Sequence, residues 1–431
     1  MTRSDPLVAP SAEPADIAVV GGGPAGLTAA ILFSSLGFST TLVAPERHGE
    51  DFRTTALLGG SLDLVARLGL DRAIAERGAA IAVMRLVDDT GRLIRAPEAV
   101  FRAADIGRDA FGVNIANRDL VDLLEARAAD GPRRIVGTVG EAVEIDADRV
   151  RLPLTGGGAI TARLVVAADG RGSRLRRAAG IATREWSLPQ SAIVFDLAHR
   201  RPHEGVSTEF HTRNGPFVLV PLPGGNRSSV VLIDRPAEIE RLVGLTEPAL
   251  AAEMERRSHS ILGAMTPIGE RRVWPLSSLV ATVAGRRRIA LIGETAHAFP
   301  PIGAQGLNLT LRDIARLASL VVAARAGGED IGGARLLAAY DRRRRFDVAS
   351  RAYGVDVVNR TLLSDLLPAQ IFRAVGLHLA TALPGFGRLL MRAGLGPRMS
   401  LPPAPGDDGG AAGGSGQTPN RVVGSSSWVT R

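Results

Sequence analysis

Apolar positions follow two rhythms along this chain. Short continuous apolar runs stop abruptly at glycine or an acid, and longer stretches repeat every three to four residues. The run Asp16-Ile17-Ala18-Val19-Val20 reads as a buried strand, with a helix at 27–36 closed by Gly37 and a second strand at 39–44. An amphipathic helix at 61–68 ends at Gly69, and residues 81–115 alternate short strands with turns. Asn117 is placed to cap a helix at 120–129. Strands at 150–154 and 162–168 flank the turn Gly156-Gly157-Gly158, and a helix is expected at 173–179. From 191 to 234 the pattern is β-type, and Gly224-Gly225-Asn226 between two apolar runs signals a hairpin. A helix at 248–257 follows, then a strand at 288–292, a long helix at 307–326 and a second helix within 331–361. The Arg342 to Arg345 run on that helix reads as a solvated face. Residues 361–398 hold short apolar helical pieces, and 402–431 read as a disordered Gly/Ser/Pro tail.

Three of the apolar runs end in stretches with chemistry. The first enters Gly21-Gly22-Gly23-Pro24-Ala25-Gly26, a G-x-G-x-x-G turn between a strand and a helix. Gly21 makes the tight turn, Gly23 lets a pyrophosphate approach the backbone, and Gly26 lets helix and strand pack closely. The acid that ordinarily ends the second strand and holds a ribose hydroxyl is replaced by Ala44, with Glu46 two residues further on. The second stretch delivers Asp169-Gly170. Asp169 suits either a ribose or ribityl hydroxyl or the N-cap of the following helix. The third is Gly293 to Asp313, a strand end, a Gly/Pro-rich loop and a helix start, which suits a flat anionic ligand. Arg53 is a candidate for a phosphate or a flavin edge, although its spacing alone favours a solvated loop arginine.

The 431 residues, 45% of them hydrophobic, are enough for two closely joined domains. The chain has no cysteine, which excludes thiolate catalysis, Fe–S clusters and Cys-ligated zinc. All 52 basic residues are arginine, which excludes a P-loop lysine and a Schiff-base lysine. A net charge of +8 favours anionic partners, but aromatics at 4% and scattered arginines argue against nucleic acid. His199, His203 and His211 lie in a β-type segment, so no metal site is expected. No G-x-S-x-G elbow occurs, and no apolar run is long enough for a transmembrane helix.

One cofactor reached from three strand ends accounts for the three stretches better than three separate sites. In the motifs GGGPAG, AADGRGSRLR and GETAHAFPPIGAQGLN the chain resembles the class A flavoprotein monooxygenases, relatives of para-hydroxybenzoate hydroxylase. A narrower resemblance to the ubiquinone-biosynthesis hydroxylases rests on DFRTTALLGGSLDLVARLGL, NRDLVDLLEAR, STEFHTRNGPFVLVPLP and LNLTLRDIARLASL, and covers about residues 15–400. The resemblance implies an α/β fold with a Rossmann-like FAD-binding domain, an inserted mainly β-sheet substrate domain and C-terminal helices. The expected division is a flexible lead at 1–14, the FAD domain at 15–185 and 276–330, the substrate sheet at 186–275, helices at 331–401 and the tail at 402–431.

The implied activity is hydroxylation of a polyprenylated phenol or quinone precursor with O2, through a flavin C4a-hydroperoxide. NAD(P)H or a ferredoxin-type donor supplies the electrons. The implied FAD contacts are Gly21, Gly23, Pro24, Ala25, Gly26, Arg53, Arg118, Asp169, Gly170, Gly293, Glu294, Pro301, Gly303, Gly306, Leu307 and Asn308. Pro300, Gly303 and Gly306 would position the ring, and no general base is assigned. Implied partners are other ubiquinone-biosynthesis proteins and a membrane surface, with a cytoplasmic, peripheral location on the inner membrane face. Two positions depart from the family pattern: Ala44, and Glu294 where aspartate is usual. Another aromatic substrate, a prenyl-saturating flavin reductase and an accessory flavoprotein of a quinone-synthesis complex share the same cofactor motifs.

Overall fold

The computed structural model describes residues 14–47, 49, 51–91, 96–301, 305–345, 384–395, 399 and 401–403. Residues 1–13 of the expected lead and the 404–431 part of the tail lie outside them, as do 346–383.

The first sheet is built on parallel strands in the order Ile289–Leu291, Ala159–Ala167, Ala15–Val20, Thr40–Ala44, Arg133–Val136. Alternation along each strand explains its layers, since successive side chains point to opposite faces. Ile17, Val19, Leu42, Leu164, Val166 and Ala290 pack on one side against helices Pro24–Ser35, Asn117–Ala128 and Gln305–Ala326. Ala18, Val20, Val43, Val165, Ala167 and Leu291 pack on the other, against Val150 and Leu152 of an antiparallel strand.

The second sheet has eight strands, centred on two 17-residue strands, Thr183–His199 and Met265–Ala281. It takes in Val83–Asp88 and Ala99–Arg102 at one edge and His297–Ala298 at the other. One face is covered by helices Pro236–Val243 and Glu247–Arg257, which bury Ile239, Leu242, Leu250 and Met254 on Phe195, Phe217 and Leu232. At Val220 the sheet meets a cluster of Leu58, Ile81 and Phe111. That cluster belongs to a three-stranded sheet of Thr54–Leu58, Gly112–Ala116 and Ala79–Ile81.

The hairpin at Gly224-Gly225 forms, pairing Leu222 with Arg227. Three local expectations change. Ala116, not Asn117, is the N-cap, and Asn117 becomes the first helical residue because its amide is committed to Thr55 and Asp51. The helix Pro236–Val243 was masked by the β-type pattern before it. The Arg342 to Arg345 run is not a solvated face throughout: Arg344 is 2% exposed, because this helix packs its inner side on Gln305–Ala326 and pairs Arg344 with Asp313.

Candidate active site

Three loops leave the carboxyl ends of three neighbouring parallel strands: Gly21 to Gly26, Ala168 to Gly170, and Gly293–Thr295. In an open parallel sheet that edge is the ligand edge. Backbone bonds draw the loops together. Ala168 N–H donates to the Val20 carbonyl at 2.8 Å and Ile292 N–H to the Ala167 carbonyl at 3.0 Å. The Gly170 N–H donates to Thr295 Oγ1 at 3.1 Å.

Gly21 has φ +128°, and a Cβ there would stand 2.2 Å from the Ala168 carbonyl oxygen. A Cβ at Gly26 would stand 1.9 Å from the Gly21 oxygen, so helix and turn are in backbone contact. Gly23 is different in kind. Its φ is −78° and nothing lies within 4 Å of where a Cβ would be. Open space therefore faces the start of Pro24–Ser35, a helix with no side-chain cap and no acid in its first turn. Orphan N–H groups facing open space fit a phosphate. Gly293, at φ +61°, brings the third loop against Ala25, whose Cβ a Gly293 side chain would meet at 3.2 Å.

Ala44 is buried beneath this turn, with a Cβ on Gly22 only 2.8 Å from its own. Glu46 is exposed, and Arg47 beside it pairs with Asp122 at 2.7 Å. Asp169 is not itself the N-cap: Ser173 caps helix Arg174–Ala178, its Oγ accepting from the Arg176 N–H at 2.9 Å, and Asp169 supports that cap. Its Oδ1 accepts from Ser173 Oγ at 2.6 Å and its Oδ2 from the N–H groups of Arg174 and Leu175 at 2.9 and 3.3 Å. Arg176 then ties this motif to the third loop: it is 5% exposed and donates to the Thr295 and Arg171 carbonyls at 2.9 and 2.7 Å. Burial holds the Arg176 guanidinium below the usual arginine range.

Arg53 forms a two-pronged pair with Asp51, both bonds 2.8 Å. That pair raises the Arg53 pKa, and the charge of Glu294 adds to it, so the two loops share a field. Burial alone would raise the Asp51 carboxyl; the bonds from Arg53 and Asn117 outweigh it and hold the group below its ordinary value. Glu294 itself is exposed. Arg118 is half exposed, 3.8 Å from Asp119, and lines a cavity of about 420 Å³ with Phe52, Asp196 and Arg227.

Pro300 is buried and Pro301 exposed; Gly303 lies outside the described residues. Gly306 and Leu307 open the helix Gln305–Ala326. The Asn308 side chain is committed elsewhere: it accepts from Leu58 N–H at 2.9 Å and donates to the Ala56 carbonyl at 2.7 Å, clamping strand Thr54–Leu58 to the helix. The histidines of the second sheet are held by protein groups. His199 bonds the Arg201 carbonyl and Ser228, His203 bonds the Leu222 carbonyl and the Gly205 N–H, and His211 bonds Glu209. No group of three potential metal ligands occurs among the described residues.

Sequence reasoning missed Arg176, Thr295, Asn117 and the buried His297–Asp313 pair, whose Nε2 to Oδ2 distance is 3.0 Å. Nothing local separates Arg176 from its arginine neighbours, and His297 and Asp313 meet only because a loop folds back on its own helix.

A glycine cradle at an uncapped helix, three strand-end loops in mutual contact and a large second sheet define a dinucleotide-binding flavoenzyme. The chain belongs to the FAD binding domain family of FAD-dependent monooxygenases, whose family profile matches residues 14–353. It is 32% identical over 412 residues to the ubiquinone hydroxylase UbiL of Rhodospirillum rubrum, covering 94% of each chain. It is 29% identical to the 3-demethoxyubiquinol 3-hydroxylase of Escherichia coli, covering 89% of this chain and 99% of that one. The fold is that of p-nitrophenol 4-monooxygenase PnpA from Pseudomonas putida, with a TM-score of 0.72 at 20% identity over 88% of this chain and 96% of that one. The expected α/β flavin-monooxygenase fold and the FAD cofactor are thereby established.

Proposed function

We propose that this protein hydroxylates the aromatic ring of a polyprenylated phenol in ubiquinone biosynthesis. The observation that carries the proposal is the convergence of the three loops on one edge, in a chain that matches a ubiquinone hydroxylase along 94% of both lengths. Bound FAD, once reduced, supplies O2 activation and oxygen transfer. The chain's own groups bind and orient it. The N–H groups at the start of Pro24–Ser35, with Gly21, Gly23, Pro24, Ala25 and Gly26, take the pyrophosphate. Gly293 and Glu294 take the ribityl side, with Gly170 beside them and Asp169 acting through the cap that fixes this loop. Pro300, Pro301, Gly303 and Gly306 shape the ring's seat, and the backbone N–H groups of Leu307 and Asn308 face the negative charge of the reduced ring. Arg53, linked electrostatically to Glu294, completes the polar rim, together with Arg118, which lines the cavity beside Asp51 and Phe52. The electrons come from NAD(P)H or a ferredoxin-type donor, and the prenyl tail is drawn from a membrane surface.

The deciding experiment is mass spectrometry of quinones from a strain lacking the gene. An under-hydroxylated precursor should accumulate and disappear on complementation; an unchanged profile overturns the assignment. Oxygen uptake coupled to ring hydroxylation separates this reading from a prenyl-saturating reductase.

A further inference from the structure

Helix 334–345 sends three buried side chains to the stretch that carries the third loop. Asp341, 7% exposed, accepts from the Ala284 N–H at 2.8 Å. Tyr340, fully buried, donates to the Leu291 carbonyl at 3.0 Å, on the last residue of the strand that enters the loop. Arg344 pairs with Asp313 Oδ2, and that same oxygen accepts from His297 Nε2 at 3.0 Å. The partners thus run in order along one covalent path: before the strand, at its end, just after the Gly293–Thr295 turn, and in the third turn of Gln305–Ala326. His297 stacks on Phe299 at 5.6 Å, and Pro300 follows directly.

This arrangement is costly as a device for stability alone. Arg344, Asp313 and His297 have side chains 3%, 0% and 1% exposed, and apolar side chains of similar volume would avoid their desolvation. The trio is not even saturated: His297 Nδ1, Asp313 Oδ1 and Arg344 Nε have no hydrogen-bond partner among the described residues. What such a trio does supply is a fixed direction. One carboxylate oxygen holds an arginine from one helix and a histidine from the loop at a single point.

We propose that helix 334–345 is a positioning brace for the FAD seat, acting through Arg344–Asp313–His297 and through Tyr340–Leu291. Arg344 and Tyr340 then govern FAD affinity from behind the loop, as positioning residues and not as catalytic ones. The proposal rests on FAD binding alone and is independent of which ring is hydroxylated.

The test is FAD titration of the apoprotein, followed by flavin fluorescence and visible circular dichroism, with thermal unfolding of the same apoproteins alongside. Arg344→Met and His297→Leu should each weaken FAD roughly tenfold. The double variant should be no weaker than either single one, because both act through one carboxylate. His297→Gln, which keeps an N–H toward Asp313, should recover most of the affinity. Tyr340→Phe removes one hydrogen bond without opening a cavity, and should weaken FAD about threefold and alter the flavin dichroism. Unchanged affinity in folded variants, or fully additive losses in the double variant, overturns the brace. If Arg344→Met does not fold, Tyr340→Phe and the His297 pair decide it by the same criteria.

Discussion

Two glycines two positions apart separate a steric requirement from a ligand requirement. Gly21 sits at φ +128° with no room for a Cβ, so Gly21→Ala should destabilise the apoprotein by about 2 kcal/mol or more, read from its urea midpoint. Gly23 has an ordinary φ of −78° and open space before it. Gly23→Ala should leave the urea midpoint of the apoprotein within about 0.5 kcal/mol and still weaken FAD, measured by flavin fluorescence. Unchanged FAD affinity in Gly23→Ala would mean that the space at Gly23 is not the cofactor's. Asp169 teaches a related lesson: a carboxylate at a strand end looked available for a hydroxyl, and its oxygens are occupied by Ser173, Arg174 and Leu175. Which of its two possible partners wins is decided by the closeness of a helix N-terminus whose first residue, Arg174, lies five positions on.

Elements are held in register here by single polar side chains. Asn308 grips strand Thr54–Leu58 by both ends of one amide, at Leu58 and Ala56. Asn308→Ala would leave a buried N–H and a carbonyl without that partner, at a cost of about 2 kcal/mol, seen as a lower urea midpoint. Gly59 plays the steric counterpart. Its φ is +49° and a Cβ would stand 2.5 Å from the Leu395 carbonyl, where helix Pro384–Leu395 docks. Gly59→Ala should release that helix and increase proteolytic cleavage near 384–395, with the FAD sheet left protected. The periodicity of Gln305–Ala326 and the alternation of the parallel strands were legible in the sequence because burial of one face leaves a repeating mark. The grip of Asn308 on a strand 250 residues earlier leaves none.

At the scale of the whole molecule, charge burial predicts how stability depends on pH. Desolvation lowers the pKa of His297, with the Arg344 charge adding to it, and desolvation also lowers that of His199. Unfolded, both titrate near the ordinary histidine value of about 6.5 and bind protons that the fold rejects. Stability therefore rises with pH up to about 6.5 and is lost as pH falls below it toward the depressed folded values. His297→Gln should reduce, and His199 alone should then sustain, the fall of the denaturation midpoint as pH drops below about 6.5. At lower pH Glu253 acts in the same direction. The hydrogen bond from Arg256 holds it down to about 2, with Arg257 adding to the effect, so its contribution stands above the ordinary glutamate value of about 4.5 and is lost as pH falls toward 2.

The sequence by itself determined the cofactor class, the parallel strands and the three stretches at their carboxyl ends. Each of those depends on local rules: an apolar run, a glycine where a Cβ would collide, a helix beginning at once. Only the tertiary structure decided which polar groups were already committed. Asp169 supports a helix cap, Asn308 clamps a strand, and Arg344, read as part of a solvated run, lies buried against Asp313 and His297. A polar side chain's partner is set by which elements fold against it, and residues 297, 313 and 344 come together only when the loop and two helices pack. Local pattern records burial well, because burial repeats along an element; it does not record pairing, because a pair occurs once.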